Sequence, residues 1–247
     1  MRSIILTLIF FAVSISASAQ QMNITYKNEI DKNEKLNYMT DVTYPQVDFG
    51  PEALMGVRGI AQDINTAINE SVQNYIESFK TQLEEIKGDS KEGESNSFKI
   101  TSEAEITGGT LLSVKFTMFS NISGMAHPMT NDSSFNYSTI STGQLELKDL
   151  FREESEYLKF ISAYSQKELE AYAYSQGNEN IFDMIKLGTS PDANNFKVWN
   201  IKNDSLSITF NPYQAAPYVF GIQEVKISLS EMLSMFDKTG PLEFLFR

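Results

Sequence analysis

The sequence has no cysteine and a single histidine, His127. The absence of cysteine excludes disulfides, a cysteine nucleophile and a thiolate-bound zinc site. A serine nucleophile needs a base, usually histidine, so a catalytic triad would depend on His127, and no G-x-S-x-G motif is present. Phosphate-binding loops of the form G-x-x-x-x-G-K-[ST] are also missing. We therefore expect a protein that is not an enzyme and that uses neither a metal nor an organic cofactor.

Long apolar runs are missing beyond the first twenty residues, which read MRSIILTLIFFAVSISASAQ. There, one basic residue precedes an apolar run, and Ala17-Ser18-Ala19 has the small-x-small pattern of a signal-peptidase site. We interpret residues 1–19 as a secretory signal cut after Ala19, with an uncleaved anchor as the alternative. The run is shorter than the roughly 20 residues needed to cross a bilayer. We expect a periplasmic or secreted protein with no membrane span after cleavage.

Positive charge is scarce, since 20 lysines and arginines face 32 aspartates and glutamates, for a formal net charge of −12. Such a field repels nucleic acid and anionic membrane, so neither is an expected partner. A basic partner is favoured. The alternative is that the acidic surface serves solubility alone.

The first half of the chain has the pattern of two strands, one helix and two further strands. Alternating polarity near residues 24–30 and 36–44 predicts the first two strands, joined by a turn at DKNEK. Apolar residues then recur at steps of three and four from Val57 to Ile86, which predicts a helix of about 30 residues that Gly88 ends. A polar connection, 88–97, precedes strands near 98–106 and 111–122, joined by a hairpin turn at Gly108-Gly109.

The second half predicts a further sheet with its own helix. A hairpin surrounds STGQ (141–144), a helix covers about 154–174, and a second hairpin turns at Lys202-Asn203-Asp204. A strand near 225–229, a short helix capped by Ser230 and a docked C-terminal strand follow. We expect an α+β fold in two halves, 20–123 and 124–247, each a mostly antiparallel sheet with a long packed helix.

A pair of carboxylates is the remaining route to catalysis, because glycoside hydrolysis needs only two acidic side chains about 5 to 10 Å apart. Asp132, Glu146 and Asp149 lie near His127 in the chain. We favour structural roles for them, with Asp149 as a turn former, and keep a cell-wall glycan hydrolase as an alternative function. Trp199 lies between Val198 and Ile201 in an apparent strand, so we expect it in the core rather than stacked on a sugar.

Two short stretches stand out as candidates for recognition, GMAHP (124–128) and NPYQAAPY (211–218). The proline after His127 favours an extended backbone there, and we expect the histidine to hold this crossing by a side-chain hydrogen bond to backbone. In the second stretch each of two prolines fixes φ and precedes a tyrosine, which combines an apolar body with a polar tip. The candidate ligand-binding residues are His127, Pro212, Tyr213, Pro217 and Tyr218.

The same stretches belong to a wider pattern over about 120–236. It contains GMAHP, FNYSTISTGQLELKDLF (135–151) and LSITFNPYQAAPYVFGIQEVKISLSEM (206–232). This pattern resembles the extracellular domain of the RsiV-like family, in which a His-Pro is followed by an Asn-Tyr strand, a Thr-Gly turn and an L-x-D-L-F lead-in to a helix. The matching residues here are His127-Pro128, Asn136-Tyr137, Thr142-Gly143 and 147–151.

The resemblance implies a domain that recognises a ligand outside the cell. The family includes the lysozyme-binding ectodomain of the anti-sigma-V factor and the accessory domain of the peptidoglycan deacetylase PdaC, and it adds Tyr137 to the candidate residues. From this sequence we expect no counterpart of that factor's membrane span or of the deacetylase's catalytic domain. We therefore expect a non-enzymatic domain that binds a basic lysozyme-like protein or peptidoglycan, with a structural domain of an envelope assembly as a further alternative.

Overall fold

The computed structural model describes residues 21–34, 36–86, 95–141 and 143–247. The predicted signal sequence, the helix-ending Gly88, most of the polar connection and Thr142 lie outside these residues. Within the described parts of the chain, no helix is both long enough and apolar enough to cross a membrane.

The first five elements follow the predicted order of strand, strand, helix, strand and strand. They are β1 (Asn23–Asn33), β2 (Tyr38–Asp48), α1 (Met55–Ile86), β3 (Asn96–Thr107) and β4 (Leu111–Asn121). The predicted hairpin turn joins β3 to β4 through the three residues 108–110, because Thr107 pairs with Leu111. Gly108 (φ 59°) and Gly109 (φ 75°) supply the positive φ angles of this turn. The crossover through α1 makes β2 and β3 parallel, whereas the other neighbouring strands are antiparallel.

The first sheet continues past residue 124. Its order is β1-β2-β3-β4-β5-β6, where β5 is Met129–Ser138 and β6 is Gly143–Gln144. The short connection after β4 turns the chain back at once, so β5 pairs with β4 from Ser120↔Met129 to Leu111↔Ser138. The six-stranded sheet therefore contains strands from both predicted halves, and the two sheets do not divide at residue 124.

The second sheet has the order β7-β8-β9 and is accompanied by the remaining helices. Its strands are β7 (Trp199–Lys202), β8 (Ser205–Phe210) and β9 (Gln223–Ser228), and the helices are α2 (Tyr157–Ser175), α3 (Phe182–Gly188) and α4 (Leu229–Met232). The predicted hairpin turn between β7 and β8 is confirmed, with Asn203 at φ 51°.

Two predictions near the C-terminus are wrong. Ser228, not Ser230, caps α4, because the Ser228 side chain accepts a hydrogen bond from the Ser230 backbone. The C-terminal apolar segment forms a 3-10 turn, Glu243–Phe246, and not a strand. In that turn, Phe244, Leu245 and Phe246 pack against the apolar cluster that α2, α3 and the second sheet share. The turn's backbone hydrogen bonds are local, as from the Leu245 N–H to the Leu242 carbonyl.

The core consists of two apolar clusters, which confirm the α+β class. One cluster lies between α1 and the six-stranded sheet, where Ile64, Ile68 and Val72 of the helix are fully buried. One face of β4, with Leu112, Val114 and Phe116, packs in the same cluster as this helix. The other cluster, which we call the second core, joins α2 and α3 to β7, β8 and β9. Burial on one face of α1 thus accounts for the long apolar periodicity of the sequence.

Candidate binding site at the histidine crossing

His127 and the two tyrosines of NPYQAAPY lie together on the surface. The imidazole stacks on the ring of Tyr218 with ring centroids 3.8 Å apart and planes 27° apart. The ring of Tyr213 continues the stack, 5.9 Å from that of Tyr218. We call these three side chains the aromatic cluster. The structure therefore brings together residues that are about 90 positions apart in the sequence, as the separation of 86 between His127 and Tyr213 shows.

Hydrogen bonds fix the orientation of the rings. Nδ1 of His127 lies 3.0 Å from the Pro128 carbonyl oxygen, which only accepts, so Nδ1 carries the proton. In the neutral ring Nε2 is then an acceptor, and the Tyr213 hydroxyl, 3.2 Å away, donates to it. The Tyr218 hydroxyl donates to the same Pro128 carbonyl at 2.7 Å. The expected bond from the histidine side chain to backbone is present.

The backbone of the tyrosine loop, residues 211–218, is held in an unusual conformation. Tyr213 has φ 69°, which is rare for a bulky residue, and its N–H donates to the Ala216 carbonyl at 2.9 Å. Within the loop, Ala215 and Ala216 are buried. Gly188 allows this close approach, since a Cβ there would lie 2.2 Å from the Gln214 carbonyl oxygen. Such strain persists only where the surroundings enforce it. In this conformation Tyr213 is 54% exposed.

Asn211 attaches this loop to the six-stranded sheet. Its side-chain oxygen accepts a hydrogen bond from the Asp132 N–H at 2.7 Å, and its side-chain nitrogen donates to the Asp132 carbonyl at 2.9 Å. These two hydrogen bonds take the place of a neighbouring strand at the edge of β5. They lie outside Tyr137 and Ser138, the two residues that pair with β6. The loop is therefore fixed beside the start of β5, where His127 lies.

The other candidates differ in their relation to the aromatic cluster. Pro212 and Pro217 are half-buried and flank the strained turn, which fits the predicted role of fixing the backbone. Tyr137 lies apart from them, in the core beneath α1, where it is 6% exposed. Along β5 it is about 26 Å, at about 3.3 Å per residue, from Met129, the end of the strand that lies near His127. Burial raises the pKa of Tyr137, with a smaller contribution from the charge of Asp63.

A cleft of about 350 Å³ adjoins the aromatic cluster, and His127 forms part of its wall. It lies between the C-terminal half of α1 and the ends of β3, β4 and β5. We call it the methionine cleft, because its apolar lining includes Met118, Met125 and Met129 beside Phe79, Phe98 and Ile122. No sequence pattern identified above predicts this cleft. The available signal was the pair of methionines two residues either side of His127.

The carboxylates considered for hydrolysis each have a structural partner. Asp149 accepts a hydrogen bond from the Glu146 backbone at 2.8 Å at the start of a 3-10 turn, and Glu146 forms an ion pair with Lys148. Asp132, 4% exposed, forms an ion pair with Lys115 at 2.8 Å. Trp199 is 2% exposed in the second core, so its predicted core position is confirmed.

Comparison with known proteins adds the family context. Residues 148–230 match the family model of DUF3298, described as a protein of unknown function, and this segment includes the tyrosine loop. The chain is also 26% identical over 172 residues to the peptidoglycan-N-acetylmuramic acid deacetylase PdaC of Bacillus subtilis. That match covers 68% of this chain and 35% of the deacetylase, so the chain spans about a third of its relative's length.

Solved structures of DUF3298 family proteins share the fold. One from Pseudomonas aeruginosa superposes with a TM-score of 0.59 at 11% identity, over 88% of this chain and 94% of the other. Another, from Bacteroides fragilis, gives a TM-score of 0.55 at 20% identity, over 89% and 94%. The matches in sequence and in fold relate the chain to the DUF3298 family and to PdaC.

Proposed function

We propose that this chain is a non-enzymatic, exported domain that binds the glycan of peptidoglycan through the aromatic cluster. The observation that carries the proposal is the surface stack of His127, Tyr218 and Tyr213. One face of a pyranose ring is lined by C–H groups and packs on an aromatic ring, while its hydroxyls bond to polar tips. A cluster whose hydrogen bonds already fix its rings loses little conformational freedom on binding.

The relation to PdaC supports the choice of glycan. PdaC is named as a deacetylase of peptidoglycan N-acetylmuramic acid, and the shared residues span about a third of it. A domain that binds the same polymer would hold such an enzyme on its substrate. To this chain we assign the binding of the glycan alone, and not its deacetylation.

A basic lysozyme-like protein is the second candidate, and the RsiV-like resemblance suggests it. The observation that favours it is the formal net charge of −12, because complementary charge accelerates and selects a cationic partner. Binding of this kind weakens steeply with salt, whereas stacking on a neutral sugar does not. The salt dependence therefore separates the two ligands.

Co-sedimentation with purified, insoluble peptidoglycan tests the proposal. Tyr213→Ala should weaken binding by at least about tenfold, since one aromatic contact contributes about 1.4 kcal/mol or more. Tyr172→Ala is the matched control, because Tyr172 is 52% exposed on α2 and belongs to no part of the cluster. If the intact chain does not sediment with peptidoglycan, or if both variants bind alike, the proposal is wrong.

A second assay separates binding from hydrolysis. Release of soluble fragments from dye-labelled peptidoglycan should stay at background for the intact chain. Activity that Asp149→Asn abolishes, with unchanged Tm, would instead identify a glycan hydrolase.

A further inference from the structure

The methionine cleft and the aromatic cluster share one wall. His127 lines the cleft, and the face of its ring stacks on Tyr218. A sugar ring on the cluster therefore directs a substituent toward the cleft. The nature of the cleft then decides which substituents the site accepts.

The floor of the cleft is apolar and adaptable. The stacked rings of Phe79 and Phe98, with centroids 4.9 Å apart, lie beside Met118 and Ile122. Methionine side chains are flexible and polarisable, and they pack closely around small groups of irregular shape. A methyl group fits such a floor, whereas a strongly hydrated group does not.

The rim of the cleft offers neutral hydrogen-bonding groups. Gln82, Ser120 and Asn131 line it, and within the described residues their side chains have no hydrogen-bond partner. A primary amide or a hydroxyl beside an apolar floor complements a ligand that has a methyl group next to an amide. An acetamido group has that combination.

No aspartate, glutamate, lysine or arginine contributes to the described lining of the cleft. An ammonium group there would lose its water without gaining an anionic partner, which is costly. The cleft therefore disfavours an amino sugar even though the chain as a whole has a formal net charge of −12.

We propose that the methionine cleft is a subsite for the acetamido group of an N-acetylated hexosamine, so that the domain distinguishes acetylated from de-N-acetylated glycan. This inference rests on the proposed binding of peptidoglycan at the aromatic cluster. The apolar floor holds the methyl group, and the neutral rim bonds the amide.

The test compares three forms of one insoluble peptidoglycan: native, chemically de-N-acetylated, and re-acetylated with acetic anhydride. Binding is measured by co-sedimentation at about 0.5 M salt, where screening within about 5 Å suppresses attraction between the acidic chain and the new ammonium groups. De-N-acetylation should raise the Kd by at least about tenfold, and re-acetylation should restore it. An unchanged or lower Kd after de-N-acetylation overturns the inference while the proposed function stands. Absence of binding to native peptidoglycan overturns both.

A charge placed in the cleft should reverse the preference. Met125 is 48% exposed, so Met125→Glu is tolerated by the fold and puts a carboxylate beside the subsite. This variant should bind the de-N-acetylated polymer at least as tightly as the native one. Met55→Glu is the matched control, since Met55 is 89% exposed at the start of α1. At about 1.5 Å per residue it lies about 30 Å from Tyr75, the cleft residue nearest to it along the helix. Equal behaviour of the two variants would count against the subsite.

Discussion

The two faces of the six-stranded sheet are covered by different chemistry. Helix α1 covers one face with apolar side chains, where Phe116, Leu112 and Val114 of β4 are fully buried. The opposite face contacts the second sheet through polar groups, in which the Ser113 hydroxyl donates to the Asn136 side chain at 2.7 Å. The same strand, β4, supplies both sets of residues at alternate positions.

The polar contact is buried and its groups are hydrogen-bonded to each other. The Asn136 side chain donates to the Trp199 carbonyl at 2.8 Å, and the Asn200 side chain donates to the Val114 carbonyl at 3.0 Å. The Ser113 hydroxyl also accepts from the Ile201 N–H at 3.0 Å. Apolar burial holds helix and sheet together without fixing their register, whereas directional bonds align the two sheets. His127 lines the methionine cleft and also bonds to Tyr213 in the loop that follows β8. The alignment of the two sheets therefore positions the aromatic cluster beside the methionine cleft.

The largest effect is expected on the apolar face. Phe116→Ala should lower the free energy of unfolding by about 3 to 5 kcal/mol, because it leaves a cavity beneath α1 and removes the edge contact with Tyr75. Urea unfolding followed by circular dichroism measures the loss. Phe119→Ala, on the opposite face and 39% exposed, should change stability by less than about 1 kcal/mol. Similar losses for both would show that the two faces do not differ in this way.

The polar face should respond to the loss of a charge. Lys115→Met removes the partner of the Asp132 carboxylate, whose side chain is 2% exposed, and should cost about 3 kcal/mol. The double variant Lys115→Met, Asp132→Asn should be more stable than the single one, since no buried charge is then left unpaired. A double variant whose cost is the sum of the two single costs would contradict this reading.

Sequence patterns predicted the apolar face and not the polar one. The spacing of apolar residues is three or four positions in α1 and two positions in β4. Both patterns are local, so they can be recognised in the sequence. The hydrogen bond from Asn136 to Trp199 joins residues 63 positions apart, and no local pattern marks it. The start of β5 has no local strand pattern either, because its polar residues become a strand through pairing with β4 and through the hydrogen bonds of Asn211. The aromatic cluster was proposed residue by residue, but its contacts with the cleft depend on this long-range geometry.

A change at the edge of β5, where the Asn211 side chain binds, should affect stability less than the changes on the two faces and should affect binding more. Asn211→Ala removes both hydrogen bonds to the Asp132 backbone and should cost about 1 to 2 kcal/mol. Because the tyrosine loop is then no longer fixed beside His127, peptidoglycan binding should weaken by more than the stability loss explains. Asn23→Ala, which removes an exposed bond to Asp48, is the control and should leave both quantities nearly unchanged. Retained binding in the first variant would show that the clamp does not position the loop.

The smallest effect concerns a tyrosine that reaches from the apolar face to a polar partner. Burial raises the pKa of Tyr75, and its hydrogen bond with Ser133, at 2.7 Å, opposes that shift in part. A raised pKa in the folded state means that its contribution to stability is complete below the ordinary value of about 10 and is lost as pH rises through the folded value. Stability should therefore fall above pH 10, and Tyr75→Phe should make that fall shallower by up to about 1.4 kcal/mol per pH unit. Urea unfolding at pH 9, 10 and 11 measures the slope, with Tyr172→Phe on the exposed face of α2 as the control. An identical slope for the Tyr75 variant and the unchanged chain would mean that the phenol gains water when α1 moves, and that the apolar face is looser at this end than its packing indicates.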